Sequence, residues 1–123
     1  MPGYIGSVGR EESQILCAEC ALDVKFAADY RKYLREIGLA CFDGVELTGL
    51  TKIARLDVVA VTKEKRSITA GTEKWYVIEE ANIDDIVIWQ DTNGLVYQTD
   101  GTGRCRKIAE SLAAYIVASS SAC

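Results

Sequence analysis

The chain contains no histidine among its 123 residues. That absence excludes Ser-His-Asp and Cys-His nucleophilic machinery, and it removes the commonest metal ligand and the side chain best placed to move protons near neutrality. Any enzyme built here would work with carboxylates, Lys, Tyr or Cys alone, so no catalytic residue is expected. Nor is there an apolar run approaching the roughly 20 residues that cross a bilayer. The first thirteen residues, MPGYIGSVGREES, lack the apolar segment behind a basic start that marks a secretory signal. A cytoplasmic protein is therefore expected. Basic residues are outnumbered, 14 against 18 acidic, for a net charge of −4. That balance argues against nucleic acid or an anionic membrane as a direct partner and fits better with a basic protein.

Metal and cofactor chemistry is equally thin. Cys17-x-x-Cys20 is the one metal-like spacing, but a zinc site wants four ligands, and Cys41, Cys105 and Cys123 stand alone. Cys17 and Cys20 lie one helical turn apart, where small apolar residues pack, so burial is the expectation. Five cysteines without an export signal point to a reducing compartment. No cofactor is expected. Gly101-Thr102-Gly103-Arg104 faintly resembles a phosphate cradle but lacks the Walker spacing, and a plain strand-to-helix connection is the better reading.

What is present is an ordinary globular composition, 49% hydrophobic and 26% charged. One domain is expected over residues 13–118, after a flexible segment 1–12 and before a frayed tail 119–123. The stretch from Trp75 to Asp100 reads as three consecutive strands, rich in Val, Ile, Trp and Tyr. Asn93-Gly94 is a hairpin signal. With those two residues as the loop, Gln90 faces Tyr97, Trp89 faces Gln98 and Asp91 faces Val96. One face then carries Ile86, Ile88, Leu95 and Tyr97 toward a core. The other carries Val87, Trp89, Asp91, Val96, Gln98 and Asp100, a mixed surface fit for a partner, although a one-residue slip would exchange the two.

The remaining elements frame that sheet. Apolar spacing predicts helices over about residues 11–22, 27–37 and 106–117. Short strands are expected around Asp43-Gly44, and Leu56 to Arg66 reads equally as strand or as a helix capped by Asp57. The result is an α+β class: a central, mostly antiparallel sheet packed with two N-terminal helices and one C-terminal helix. The carboxylates Glu79, Glu80, Asp84 and Asp85 bracket Asn82 in what looks like a solvated turn, with alternation placing Glu79 beside Trp75 and Val77. The partner-binding candidates are thus Glu79, Trp89, Asp91, Gln98 and Asp100. For Trp89, a core position under a helix competes evenly with a surface anchor.

The order of these motifs resembles the SUKH superfamily, named for homology to a yeast cell-wall synthesis regulator. The resemblance runs through Ile15, Glu19 and Leu22, then Asp29-Tyr30-Arg31-Lys32-Tyr33-Leu34-Arg35-Glu36-Ile37-Gly38. It continues in Phe42 to Leu50, Asp57 to Thr62, Trp75 to Ile78, Ile86 to Asp91, Gly94 to Tyr97 and Ala109 to Ile116, covering residues 13–117. The family's usual proline before Asp-Tyr is replaced here by Ala27-Ala28, which bears on where that helix starts. The resemblance implies a SUKH-like domain without enzymatic activity. Bacterial members are widely immunity proteins of polymorphic and contact-dependent toxin systems, which bind a cognate toxin, often a nuclease or deaminase. Such toxins are commonly basic, and an acidic inhibitor gains steering from its charge. The alternative is a regulatory protein-interaction module of the same fold.

Overall fold

The computed structural model describes residues 5–6, 10–38, 40–42, 45–80 and 85–121. The expected turn at Asp43-Gly44, and Asn82 and Asp84, lie outside them. Four helices pack on an antiparallel sheet, so the chain is an α+β protein. Strands β1 (Ile5–Gly6), β2 (Ala40–Phe42) and β3 (Val45–Glu46) form a small antiparallel sheet. Strands β4 (Tyr76–Glu80), β5 (Val87–Gln90), β6 (Val96–Thr99) and β7 (Cys105–Ala109) form the main one in chain order, as a meander. A bridge from Leu47 to Glu79 joins the two.

Helices α1 (Glu12–Leu22) and α2 (Ala28–Glu36) lay Ile15, Ala18, Leu22, Tyr30, Tyr33 and Leu34 into the principal core. There they meet Tyr76, Ile78, Ile88 and Val96 of the sheet, and Leu112 and Tyr115 of α4 (Leu112–Ser121). Phe26, Tyr30 and Tyr76 form an aromatic cluster at the centre, with centroids 4.7–5.1 Å apart, Phe26 edge-to-face on both tyrosines and the tyrosines tilted to each other. Of the Ala27-Ala28 pair before Asp29-Tyr30, Ala27 takes φ −60° and ψ 154° as the helix cap. Its amide donates to the Tyr76 hydroxyl at 2.8 Å, a bond proline at that position would forfeit.

The ambiguous stretch is helical. Asp57 accepts from the Ala60 amide at 3.1 Å, capping α3 (Val58–Ile68). This helix packs on the other side of the sheet, where Val61 meets Val77, Val87 and Trp89 in a second, smaller core. It also seals the free edge of β4. Thr62 Oγ1 accepts from the Val77 amide, and Arg66 donates to the Trp75 carbonyl at 2.8 Å. From the segment before the helix, the Thr48 hydroxyl donates to the Val77 carbonyl and the Thr48 amide to that of Ile78.

Three expectations need correction. Helix 106–117 is divided: its first half is β7, because Asp100 folds the chain back instead of letting a helix start, and α4 begins at Leu112. The Gly101–Gly103 loop therefore joins two strands, not a strand and a helix. Cys17 and Cys20 are exposed and unbonded to each other, because α1 turns Ile15, Ala18, Glu19 and Leu22 inward and leaves both thiols on its outer side.

Candidate functional site

The hairpin register decides which face of the sheet meets solvent. The loop holds three residues, Thr92, Asn93 and Gly94, and the Asp91 amide bonds the Leu95 carbonyl at 3.0 Å. Asp91 makes it so. One carboxylate oxygen accepts from the Asn93 and Leu95 amides, and Gly94 closes the turn at φ +95°. Trp89 consequently faces Tyr97, Gln90 faces Val96 and Ile88 faces Gln98. Relative to a two-residue loop this is the one-residue slip that exchanges faces. Val96 and Gln98 turn toward the helices, and Tyr97 joins Trp89 opposite them.

Strand β4 carries its own irregularity. The ladder shifts between Val77 and Glu79, so that Val77 pairs Trp89 while Glu79 pairs Ile88. The extra residue, Ile78, sends Glu79 to the helix side and separates it from Trp75 and Val77. Glu79 there accepts from the Tyr115 hydroxyl of α4 and the Glu46 amide.

The five candidates therefore do not form one patch. Trp89 is 0% exposed and donates its indole N–H to Thr99 Oγ1 at 2.8 Å, which makes it the centre of the second core. Glu79 is buried beneath α4. Gln98 is half-buried on the helix side of β6. Asp91 and Asp100 sit at opposite ends of β6, each organising a turn. Asp100 accepts from the Thr102 and Arg104 amides and the Thr102 hydroxyl, and those bonds hold its carboxyl below the ordinary range.

The sequence reading missed a pair that the register brings together. Trp75 and Tyr97 stack face to face, centroids 4.2 Å apart with planes 6° from parallel, and both are half-buried. Trp75 also leans on Trp89 at 6.3 Å. The stack flanks the second core and is partly open to solvent. Asp91 accepts from the Tyr97 hydroxyl at 3.1 Å, and Lys107, the cross-strand neighbour of Tyr97, pairs with Glu110 at 2.7 Å. Burial first, and then Asp91, push the Tyr97 phenol above its ordinary value. It is neutral at physiological pH and acts as a donor. An aromatic platform ringed by charges of both signs is equipped for protein recognition. Among the described residues no group of three metal-ligating side chains converges, and no helix is long and apolar enough to cross a membrane.

Glu79 carries a pH signature. Burial, the largest influence, raises its carboxyl above 4.5 despite the opposing Tyr115 bond. A carboxyl raised on folding contributes its stability below the unfolded value, and that contribution is lost as pH rises through the folded one. Urea midpoints of the parent should therefore fall relative to those of Glu79→Gln between about pH 4 and pH 7.5. Parallel profiles would show that Glu79 is solvated.

A family model described as SMI1-KNR4 cell-wall, of the SUKH group, matches residues 5–119. Comparison with curated proteins finds none that matches.

Proposed function

The chain belongs to the SMI1-KNR4 cell-wall family, and on that premise we propose that it is an immunity protein, binding a cognate polymorphic or contact-dependent toxin domain and blocking it by stoichiometric contact. The SUKH superfamily includes toxin immunity proteins and is known mainly for non-enzymatic immunity and regulatory members. The observation that carries the reading is the half-buried Trp75–Tyr97 stack beside the second core. Trp and Tyr dominate binding hot spots because they bury large area with few rotors to freeze. The rim of Asp91, Lys107 and Glu110 supplies polar contacts around them. The net charge of −4 supports a basic toxin, often one that attacks nucleic acid.

Several carboxylates are held in ion pairs inside the fold and are not free to steer a partner. Glu12 and Glu19 hold Arg31, Glu46 holds Arg55, and Glu80 holds Lys65. Reversing Asp91 or Asp100 would break a turn as well as a field, so charge reversal there is a poor test of steering. The aromatic pair is the better one. The partner is first captured from native lysate and identified by mass spectrometry, then its toxin domain is purified. Trp75→Ala and Tyr97→Ala should each weaken binding by about 10- to 100-fold, mainly through faster dissociation. Unchanged affinity in both variants would place the contact elsewhere. A captured partner that is a housekeeping regulator and no toxin would favour the interaction-module alternative.

A further inference from the structure

The two edges of the main sheet are treated differently. The β4 edge is closed by Thr48, Thr62 and Arg66, which bond the Trp75, Val77 and Ile78 backbone from outside. The β7 edge has no such cover among the described residues. Its Cys105, Arg106 and Lys107 are all exposed.

The ladder shows which backbone groups are left over. The Asp100 amide bonds the Arg104 carbonyl at 3.2 Å, and Gln98 pairs Arg106. Bonded and non-bonded pairs alternate along an antiparallel ladder, so Arg104 and Arg106 turn their backbone inward while Cys105 and Lys107 turn theirs outward. Each of the two offers one N–H and one C=O to whatever lies beside the strand.

Charge selects the occupant. Arg104, Arg106 and Lys107 gather three cations on this edge of an acidic chain, and of these only Lys107 has a carboxylate in an ion pair among the described residues. A second copy pairing antiparallel about Arg106 would set Arg106 against its own counterpart, which like-charge cross-strand pairing disfavours. An extended segment with acidic side chains at every second position would instead meet Arg104 and Arg106 on one face. Its alternate apolar side chains would lie along the face of Cys105 and the aliphatic stem of Lys107.

We propose that the outer edge of β7, from Arg104 to Lys107, receives an extended segment of a partner protein, alternating acidic and apolar residues, as a fifth antiparallel strand. Main-chain bonds give such strand addition its affinity and side-chain alternation its selectivity. The inference does not depend on the partner being a toxin; it shares Lys107 with the rim of the aromatic stack but rests on the outward backbone of β7, which the stack does not use.

The probe is a short capped, fluorescein-labelled peptide alternating glutamate and valine, titrated by anisotropy at low salt, with ¹⁵N spectra of the protein in parallel. Binding should slow exchange of the Cys105 and Lys107 amides. The paired substitution Arg104→Glu with Arg106→Glu should weaken it by about tenfold or more. Cys105→Pro keeps every charge and removes one outward donor at an edge, where proline is tolerated, and should also weaken binding about tenfold. An N-methylated peptide of the same sequence should fail to bind. The proposal is overturned if the peptide does not bind, if the N-methylated peptide binds equally well, or if Cys105→Pro binds like the parent while giving a folded spectrum. Protection of the same amides in the free protein by self-association would assign the edge to a second copy and overturn it as well.

Discussion

Trp89→Ala should lower the unfolding free energy by about 3–5 kcal/mol, the largest effect expected of any single substitution in the sheet. Trp89 is fully buried, and its ring fills the space between Val61 of α3 and Val77 and Val87 of the sheet. Its truncation leaves a cavity that three β-branched neighbours cannot close, and it also deprives Thr99 of its donor. Urea unfolding followed by circular dichroism measures the loss directly, as a shift in midpoint at constant slope. The contrast with Trp75 makes the result informative. Trp75→Ala removes a half-buried ring from the rim of the same cluster, so its stability cost should be smaller and its effect on partner binding larger. If Trp89→Ala unfolds within about 1 kcal/mol of the parent, α3 does not cover that face of the sheet as described.

Asp29→Ala should cost about 2–3 kcal/mol and should loosen α4 before the rest of the domain. One Asp29 carboxylate oxygen accepts from the Leu112 amide at 2.8 Å, at the start of α4, and the other from Gln90 Nε2 at 3.0 Å. Gln90 is fully buried. Its second amide contact is the Gly94 carbonyl, and its oxygen accepts from Tyr76, whose hydroxyl holds the start of α2. One carboxylate thus ties α2, the β5–β6 turn and α4 together. Without it, the Leu112 amide loses its acceptor, leaving the first turn of α4 to the Ser111 cap on Ala114, and a buried amide proton of Gln90 loses its acceptor. Amide exchange in residues 112–118 should accelerate more than in β5. Uniform acceleration across both would mean that α4 is held by Leu112 and Tyr115 packing alone.

Much of this arrangement is legible in the sequence because its signals are local. The α1 and α2 stripes, the three strands between Trp75 and Asp100 and the capping role open to Asp57 all follow from spacing and residue type. Register is different. Asn93-Gly94 signals a two-residue loop, but Asp91 at the first turn position and Gly94 at the fourth signal a type I turn with one residue more. The carboxylate bonds decide between them. The same Asp-x-x-Gly spacing recurs at Asp100 to Gly103, and that repetition was the available sign of β7, a strand whose five residues include a single large aliphatic, Ile108.

The candidate site inherits those errors in a predictable way. The two-residue loop puts Tyr97 on the face opposite Asp91, leaves Trp89 evenly balanced between core and surface anchor, and hides the Trp75–Tyr97 stack. A stack between residues 22 positions apart exists only once β4, β5 and β6 are in register. The bulge at Ile78 was likewise silent, since Trp75 to Glu80 alternates well enough for a regular strand. Its effect is to bury Glu79, a residue type that the sequence places by default in water.

The bond from Asp29 to Leu112 also sets a schedule for the chain as it is made. The two partners lie 83 residues apart, and at ribosomal speeds of about 5–20 residues per second the interval between them is roughly 4–17 s. For the first half of that interval Phe26, Tyr30 and Leu34 of the emerged α1–α2 segment are uncovered, because Tyr76 and Ile88 have not yet followed, and Leu112 arrives only at its end. The nascent N-terminal half is then an amphipathic helical pair without a core, the kind of surface that molecular chaperones recognise. A ribosome-stalled chain ending before β4 should bind such a chaperone, and one extended past α4 by a linker long enough to clear the exit tunnel should release it.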